Sequence, residues 1–246
     1  MASVASKGAP RAGFRPSFHL WMALAMCFFI FGGFGLTYLA PMAAGTRPPD
    51  PPVVHLHGVV FFAWMLLLVL QSALVNVKNV KLHRSLGQFG VALAGIIVFL
   101  GLLITIISMA DSRGEPVNYG LMYLSLIAPI SFAAIFAMAI RAVRKPAVHR
   151  NLILLATLSI LMPGINRLYM VGFALDGVPF YSTYMTMNAM LALILWQERR
   201  ATGSISQFSW ISAAIILVPQ AFLYPVAGSE WFQALCNGMP GLIYYR

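Results

Sequence analysis

Leu86-Gly-Gln-Phe-Gly-Val-Ala-Leu-Ala-Gly-Ile-Ile-Val-Phe-Leu-Gly-Leu-Leu-Ile-Thr-Ile-Ile-Ser-Met109 carries no charged side chain. Wound as an α-helix rising about 1.5 Å per residue, it reaches about 36 Å, enough to cross a hydrocarbon core of about 30 Å. Backbone groups in hydrocarbon must pair within their own segment or in a closed barrel, and a run this long and continuous exceeds a barrel strand. The segment is therefore read as a transmembrane helix.

Similar runs recur at about 18 to 40, 54 to 77, 118 to 142, 149 to 172, 181 to 198 and 207 to 227. The whole chain of 246 residues is 60% hydrophobic and only 9% charged, which leaves too little polar surface for a water-soluble domain. The fold expected is all-α, a polytopic membrane bundle of about seven transmembrane helices. Short connections argue for one bundle over residues 18–228, preceded by an N-terminal arm, 1–17, and followed by an interfacial tail, 229–246. Ala43 and Ala44 leave a cleaved first segment as a minor alternative.

Orientation follows from the loops. If the runs alternate in direction, Lys7, Arg11, Arg15, Lys78, Lys81, Arg84, Arg141, Arg144, Lys145, Arg150, Arg199 and Arg200 share one side. The other side holds Arg47, Arg113 and Arg246 with Asp50, Asp111, Glu115, Asp176 and Glu230. The positive-inside rule puts the N-terminus in the cytoplasm and the C-terminus in the periplasm of a bacterial inner membrane. The formal charge of +10 is then a topology signal, not the mark of a nucleic-acid surface. Cys27 and Cys236 fall on opposite sides and are not expected to pair.

Three groups of residues could carry chemistry. His83 and His149 each open a helix on the basic side and each precedes an arginine. At equal depth the two imidazoles could ligate one b-type haem while Arg84 and Arg150 neutralise its propionates; equally, the same four residues could hold lipid phosphates, with no metal involved. On the second run, His57, Phe61, Trp64, Leu68 and Gln71 form one helical stripe, with His55 on another face. On the fifth run, Arg167 lies about 27 Å beyond His149, past Pro163-Gly164, and Asn166 accompanies it. With Tyr184 and Asn188 of the sixth run, His57, Trp64, Gln71, Asn166 and Arg167 are expected to line a ligand pocket. It would suit an anionic or carbonyl-bearing group; interhelical packing and snorkelling of Arg167 are the alternatives.

Absences narrow the field. No Asp or Glu stands mid-span, which argues against a carboxylate proton relay or sodium site. Lys7, Lys78, Lys81 and Lys145 all fall outside the spans, which excludes a retinal Schiff base.

His55-Leu-His57-Gly58, Ala63-Trp64, Gln71, Leu82-His83-Arg84-Ser-Leu86-Gly87, His149-Arg150, Leu154-Leu-Ala-Thr157, Pro163 and Arg167 together resemble a group of uncharacterised bacterial multi-pass membrane proteins, and a subset resembles the DUF2306 class. That resemblance implies no activity. His57-Gly58 with Ala63-Trp64 and His83-x-x-Leu86-Gly87 is more distantly similar to cytochrome b561 and ferric-reductase-type proteins. Those imply histidine pairs at both leaflets, whereas here one inner pair stands alone. The function expected is binding of a lipid, quinone or isoprenoid, or service as an accessory subunit of a membrane complex. A single-haem redox protein and a transporter of a small hydrophobic or anionic solute are the alternatives.

Overall fold

The computed structural model describes residues 15–110, 117–174 and 179–239. Lys7, Arg11, Asp111, Arg113, Glu115, Asp176 and Arg246, used above for orientation, lie outside the described residues. Every regular element among the described residues is a helix. In chain order these are α1 (Phe18–Phe34), continued by a π-helical turn at Gly35–Leu39 and α2 (Ala40–Ala43), then α3 (Pro52–Asn76), α4 (Val80–Ala110) and α5 (Tyr119–Arg141). The broken pair α6 (Pro146–Ser159) and α7 (Met162–Arg167) runs into a second π-helical turn, Leu168–Gly172. After it come α8 (Pro179–Thr202), α9 (Gln207–Ala227) and α10 (Glu230–Gly238).

Local sequence sets the helix starts. Ser17, Asn118 and Ser206 accept bonds from the backbone amides of Leu20, Leu121 and Ser209, filling donors that no preceding turn can. Pro52 and Pro146 open α3 and α6, where the missing N–H costs nothing. The α3–α4 turn closes with Lys78 in the left-handed region and Asn79 N bonded 2.8 Å to the Leu74 carbonyl, a Schellman arrangement that satisfies the last carbonyls.

Five segments are long and apolar enough to cross a bilayer: Phe18–Ala43, Pro52–Asn76, Val80–Ser108, Tyr119–Arg141 and Gln207–Ala227. A sixth is obtained if the bent pair Pro146–Ser159 and Met162–Gly172 is one span. The run expected at 181 to 198 is the long helix α8, but Ser182, Thr183, Tyr184, Thr186 and Asn188 keep it less apolar than the others.

Helix α6 is the hub, packing on α1, α5, α8 and α9. Leu154, Leu155, Ala156, Thr157 and Leu158 are all buried, so no side of this turn-and-a-half reaches the surface. It breaks where Pro163, lacking an N–H, cannot bond the Ser159 carbonyl. Ile160 and Leu161 instead bond three residues back, to Thr157 and Leu158, and the two halves meet at 50°. The bend brings Gly164 against α1. A Cβ placed on Gly33 would lie 2.1 Å from the Gly164 carbonyl oxygen, and one on Gly164 would lie 2.9 Å from Ile30 Cα. Only glycine at both positions lets these backbones touch, as small residues do between membrane helices.

Large apolar side chains such as Phe99, 64% exposed, and Met185, 74% exposed, point away from this core and match a lipid surround.

Gly33→Ala is expected to destabilise the protein in detergent by about 1–3 kcal/mol or more, because the clash is with backbone and not with a movable side chain. Gly58→Ala, where a Cβ meets nothing within 4 Å, should be neutral or stabilising by up to about 1 kcal/mol. Thermal unfolding of the two variants side by side checks the contrast.

Candidate functional site

At the basic end, the helix starts and stops are tied by polar side chains. Ser17 N donates to Asn76 Oδ1 at 2.9 Å and Gln71 Nε2 donates to the His83 carbonyl at 3.2 Å, joining α1 to α3 and α3 to α4. His149 Nδ1 donates to the Ala139 carbonyl at 2.8 Å. A carbonyl only accepts, so the proton is on Nδ1 and the lone pair of a neutral ring is on Nε2. His83 and His149 are near enough to interact electrostatically. The two predicted histidines are thus brought to one end of the bundle, while Arg84 and Arg150 are exposed there. His83 Nδ1 and Gln71 Oε1 are buried and have no hydrogen-bond partner among the described residues.

His19 was not singled out by the sequence reading. Its Nε2 donates at 2.7 Å to Asn151 Oδ1, both side chains being buried. The signal was present as a histidine inside the first apolar run, where a polar group needs a partner.

An apolar groove of about 250 Å³ lies between α4 and α5, lined by Val91, Ala94, Gly95 and Val98 on one side and Phe132, Ala133, Phe136 and Ala137 on the other. Small side chains make the space, and Phe132 and Phe136 wall it off from Trp64, whose ring meets both edge-on. Stepping back by four from Val91 along α4 gives Gly87 and then His83, so the groove and that histidine share one helix stripe. Stepping forward by four from Ala137 gives Arg141.

The seven residues expected in one pocket are distributed. Gln71 is engaged at the basic end, about 21 Å along α3 from His57. Trp64 Nε1 donates to Thr157 Oγ1 at 3.2 Å, a bond between α3 and α6. Asn188 and Gln220 exchange two amide bonds of 3.0 Å between α8 and α9. Tyr184 packs beside a second apolar cluster, formed by Met122, Tyr123, Leu223, Phe232 and Cys236, under α10. Gln71, Trp64 and Asn188 have each found another helix to bond, whereas the Tyr184 hydroxyl is buried with no partner among the described residues. His57 and Arg167 lie within electrostatic range of each other, the imidazole stacked on Phe61 at 4.2 Å and the guanidinium 4.7 Å over Phe34. Asn166, next to Arg167, directs Nδ2 to Met170 Sδ at 3.4 Å.

His55 is held by Tyr38, whose hydroxyl bonds its Nδ1, and Arg47 lies 4.9 Å over the Tyr38 ring while pairing with Asp50. His55 and His57 therefore have different neighbours and form no pair. Outside the spans, burial against α5 and α9 raises the Cys236 thiol above its ordinary range, which leaves it a packing residue. Among the described residues no group of three or more His, Cys, Asp or Glu could hold a metal ion. No family model, curated protein or solved structure matches the chain.

If Asn188 and Gln220 are a structural pair, Asn188→Leu strands the Gln220 amide and should lower stability by about 1–3 kcal/mol. The double variant Asn188→Leu, Gln220→Leu should recover much of that loss in detergent unfolding, since no polar group is left unpaired. A double variant worse than the sum of the singles would assign Asn188 another task.

Proposed function

We propose that the chain is a bacterial inner-membrane protein that crosses the bilayer seven times and binds an amphipathic ligand of the lipid, quinone or isoprenoid class. The tail would lie in the α4–α5 groove and the head among His83, Gln71 and His149. The observation that carries this reading is the stripe from Val98 through Gly87 to His83, which joins an apolar groove to two buried, unpartnered polar atoms. The His83 ring also bonds the Gln71 backbone, so its Nδ1 and Gln71 Oε1 are both acceptors and ask for a head group that donates, such as a hydroxyl. Arg84, Arg141 and Arg150 at the same end would favour a head with negative charge. The seventh crossing is α8, whose Asn188 and Thr186 are bonded inside the bundle, to Gln220 and Tyr169, and so add little cost in hydrocarbon. The cytoplasmic N-terminus follows from the cation-rich loops.

Organic extraction of the purified protein and mass spectrometry of the extract test the ligand. One amphipathic species enriched over the bulk membrane lipids is expected, and Gly95→Leu, which fills the groove, should deplete it at least tenfold. An extract of bulk composition that Gly95→Leu leaves unchanged contradicts the reading.

The same imidazoles support a second reading, one b-type haem. His149 is oriented through Nδ1 by a backbone carbonyl, as metal-bound histidines commonly are, with Nε2 left as the ligating atom. Protein made with ample haem should then show a Soret band that sharpens on reduction and is lost in both His83→Ala and His149→Ala. Colourless protein excludes it.

A further inference from the structure

We propose that Arg167 anchors a binding site for an oxyanion, phosphate or carboxylate, at the end of the bundle away from the basic loops. This goes beyond the groove and does not rest on it. Arg167 ends α7, inside the last candidate half-span. Its guanidinium carbon lies 4.7 Å over the Phe34 ring, and none of its five N–H donors bonds a described residue. The only ion pair among the described residues is Arg47 with Asp50. Arg47 spends Nε and one terminal nitrogen on Asp50 and the other on the Thr37 carbonyl, at 3.2 Å, so Asp50 is already taken by Arg47. Arg47 is also within electrostatic range of Arg167. Arg167 is thus an exposed cation with no carboxylate of its own beside a second arginine, an arrangement that an anion would relieve.

The neighbourhood is built to hold that position. Gly33 precedes Phe34 and Gly164 lies three residues before Arg167, so the backbone contact between the glycines fixes guanidinium and ring together. Both strands of this corner are π-helical turns, Gly35–Leu39 and Leu168–Gly172, which pack on each other. Such turns recur at functional sites. His57 bounds the site: its ring stacks on Phe61 within electrostatic range of Arg167 and bonds the Leu100 backbone, which leaves Nδ1 as a buried acceptor. The donors of the site are therefore those of the planar guanidinium fork, which matches two oxygens of a phosphate or carboxylate.

The oxyanion can come from a lipid headgroup or from solution, and the two are separated by reconstitution. Thermal unfolding is measured in nanodiscs of phosphatidylcholine, with inorganic phosphate against chloride at constant ionic strength, and in nanodiscs containing phosphatidylglycerol. A rise in Tm of several degrees is expected in one arm: with inorganic phosphate, a soluble anion; with phosphatidylglycerol alone, a lipid phosphate. Arg167→Gln should abolish the rise, and Arg167→Lys, which keeps charge but loses the fork, should retain a reduced part of it. Should Arg167→Gln not fold, Arg167→Lys still decides the matter, being expected to weaken the anion response at least threefold. No response in either arm, or a response that these variants leave intact, overturns the proposal. Gly95→Leu is expected to leave the response unchanged, which keeps this test separate from that of the groove.

Discussion

The contact on which the rest of the structure depends is the one between the backbones of Gly33 and Gly164. Helix α6 is buried from Asn151 onward except for the half-buried Ile153, and Pro163 denies it a straight continuation. A bent helix in the middle of a bundle leaves space on one side and crowding on the other. The crowded side is relieved because neither glycine carries a Cβ, so α1 and α7 meet at main-chain distance. From that point the chain runs to Arg167 on one strand and to Phe34, Thr37 and Tyr38 on the other, and the guanidinium settles over the Phe34 ring.

Away from this contact, stability in an apolar surround rests on pairing nearly every polar group. Trp64 with Thr157 and His19 with Asn151 each bridge helices far apart in sequence, and Asn188 with Gln220 ties the consecutive helices α8 and α9. Each contributes about 1 kcal/mol net and fixes register, because a slipped helix would strand both partners. The exceptions stand out against that background. His83, Gln71, His57, Asn166, Thr183, Tyr184 and Glu198 each keep a buried polar atom without a partner, and Arg167 keeps its whole fork. They fall at the two ends of the bundle, whereas the middle is largely satisfied. Binding is expected at the ends for that reason.

The helices themselves were legible in the sequence, since apolar length and the scarcity of charge follow from hydrocarbon thickness and the cost of ions. His83 and His149 were legible as two histidines at one end of the bundle because both follow the basic loops; that they act as a pair is a proposal. The assignment of Trp64, Gln71 and Asn188 to one pocket was not supported by their geometry. Helical spacing shows which residues share a stripe, but not which neighbouring helix that stripe meets. Asn188 gave no hint that Gln220, on another helix, would take both its amide bonds. The glycine contact was half visible: Pro163-Gly164 marks a break, yet nothing near Gly33 names the helix it touches. Arg47 and Tyr38 were passed over because their roles arise only when the π-helical turn folds the loop back.

The account requires α8, the least apolar of the long helices, to cross the bilayer. Single cysteines in place of Thr46, before α3, and Ser204, after α8, with Cys27 and Cys236 replaced, would be probed by a membrane-impermeant maleimide in intact and in permeabilised cells. Five passes separate these positions if α8 crosses, so Thr46→Cys should label in intact, outer-membrane-opened cells and Ser204→Cys only once the inner membrane is breached. Labelling of both from the same side would leave α8 uncrossed and contradict the account.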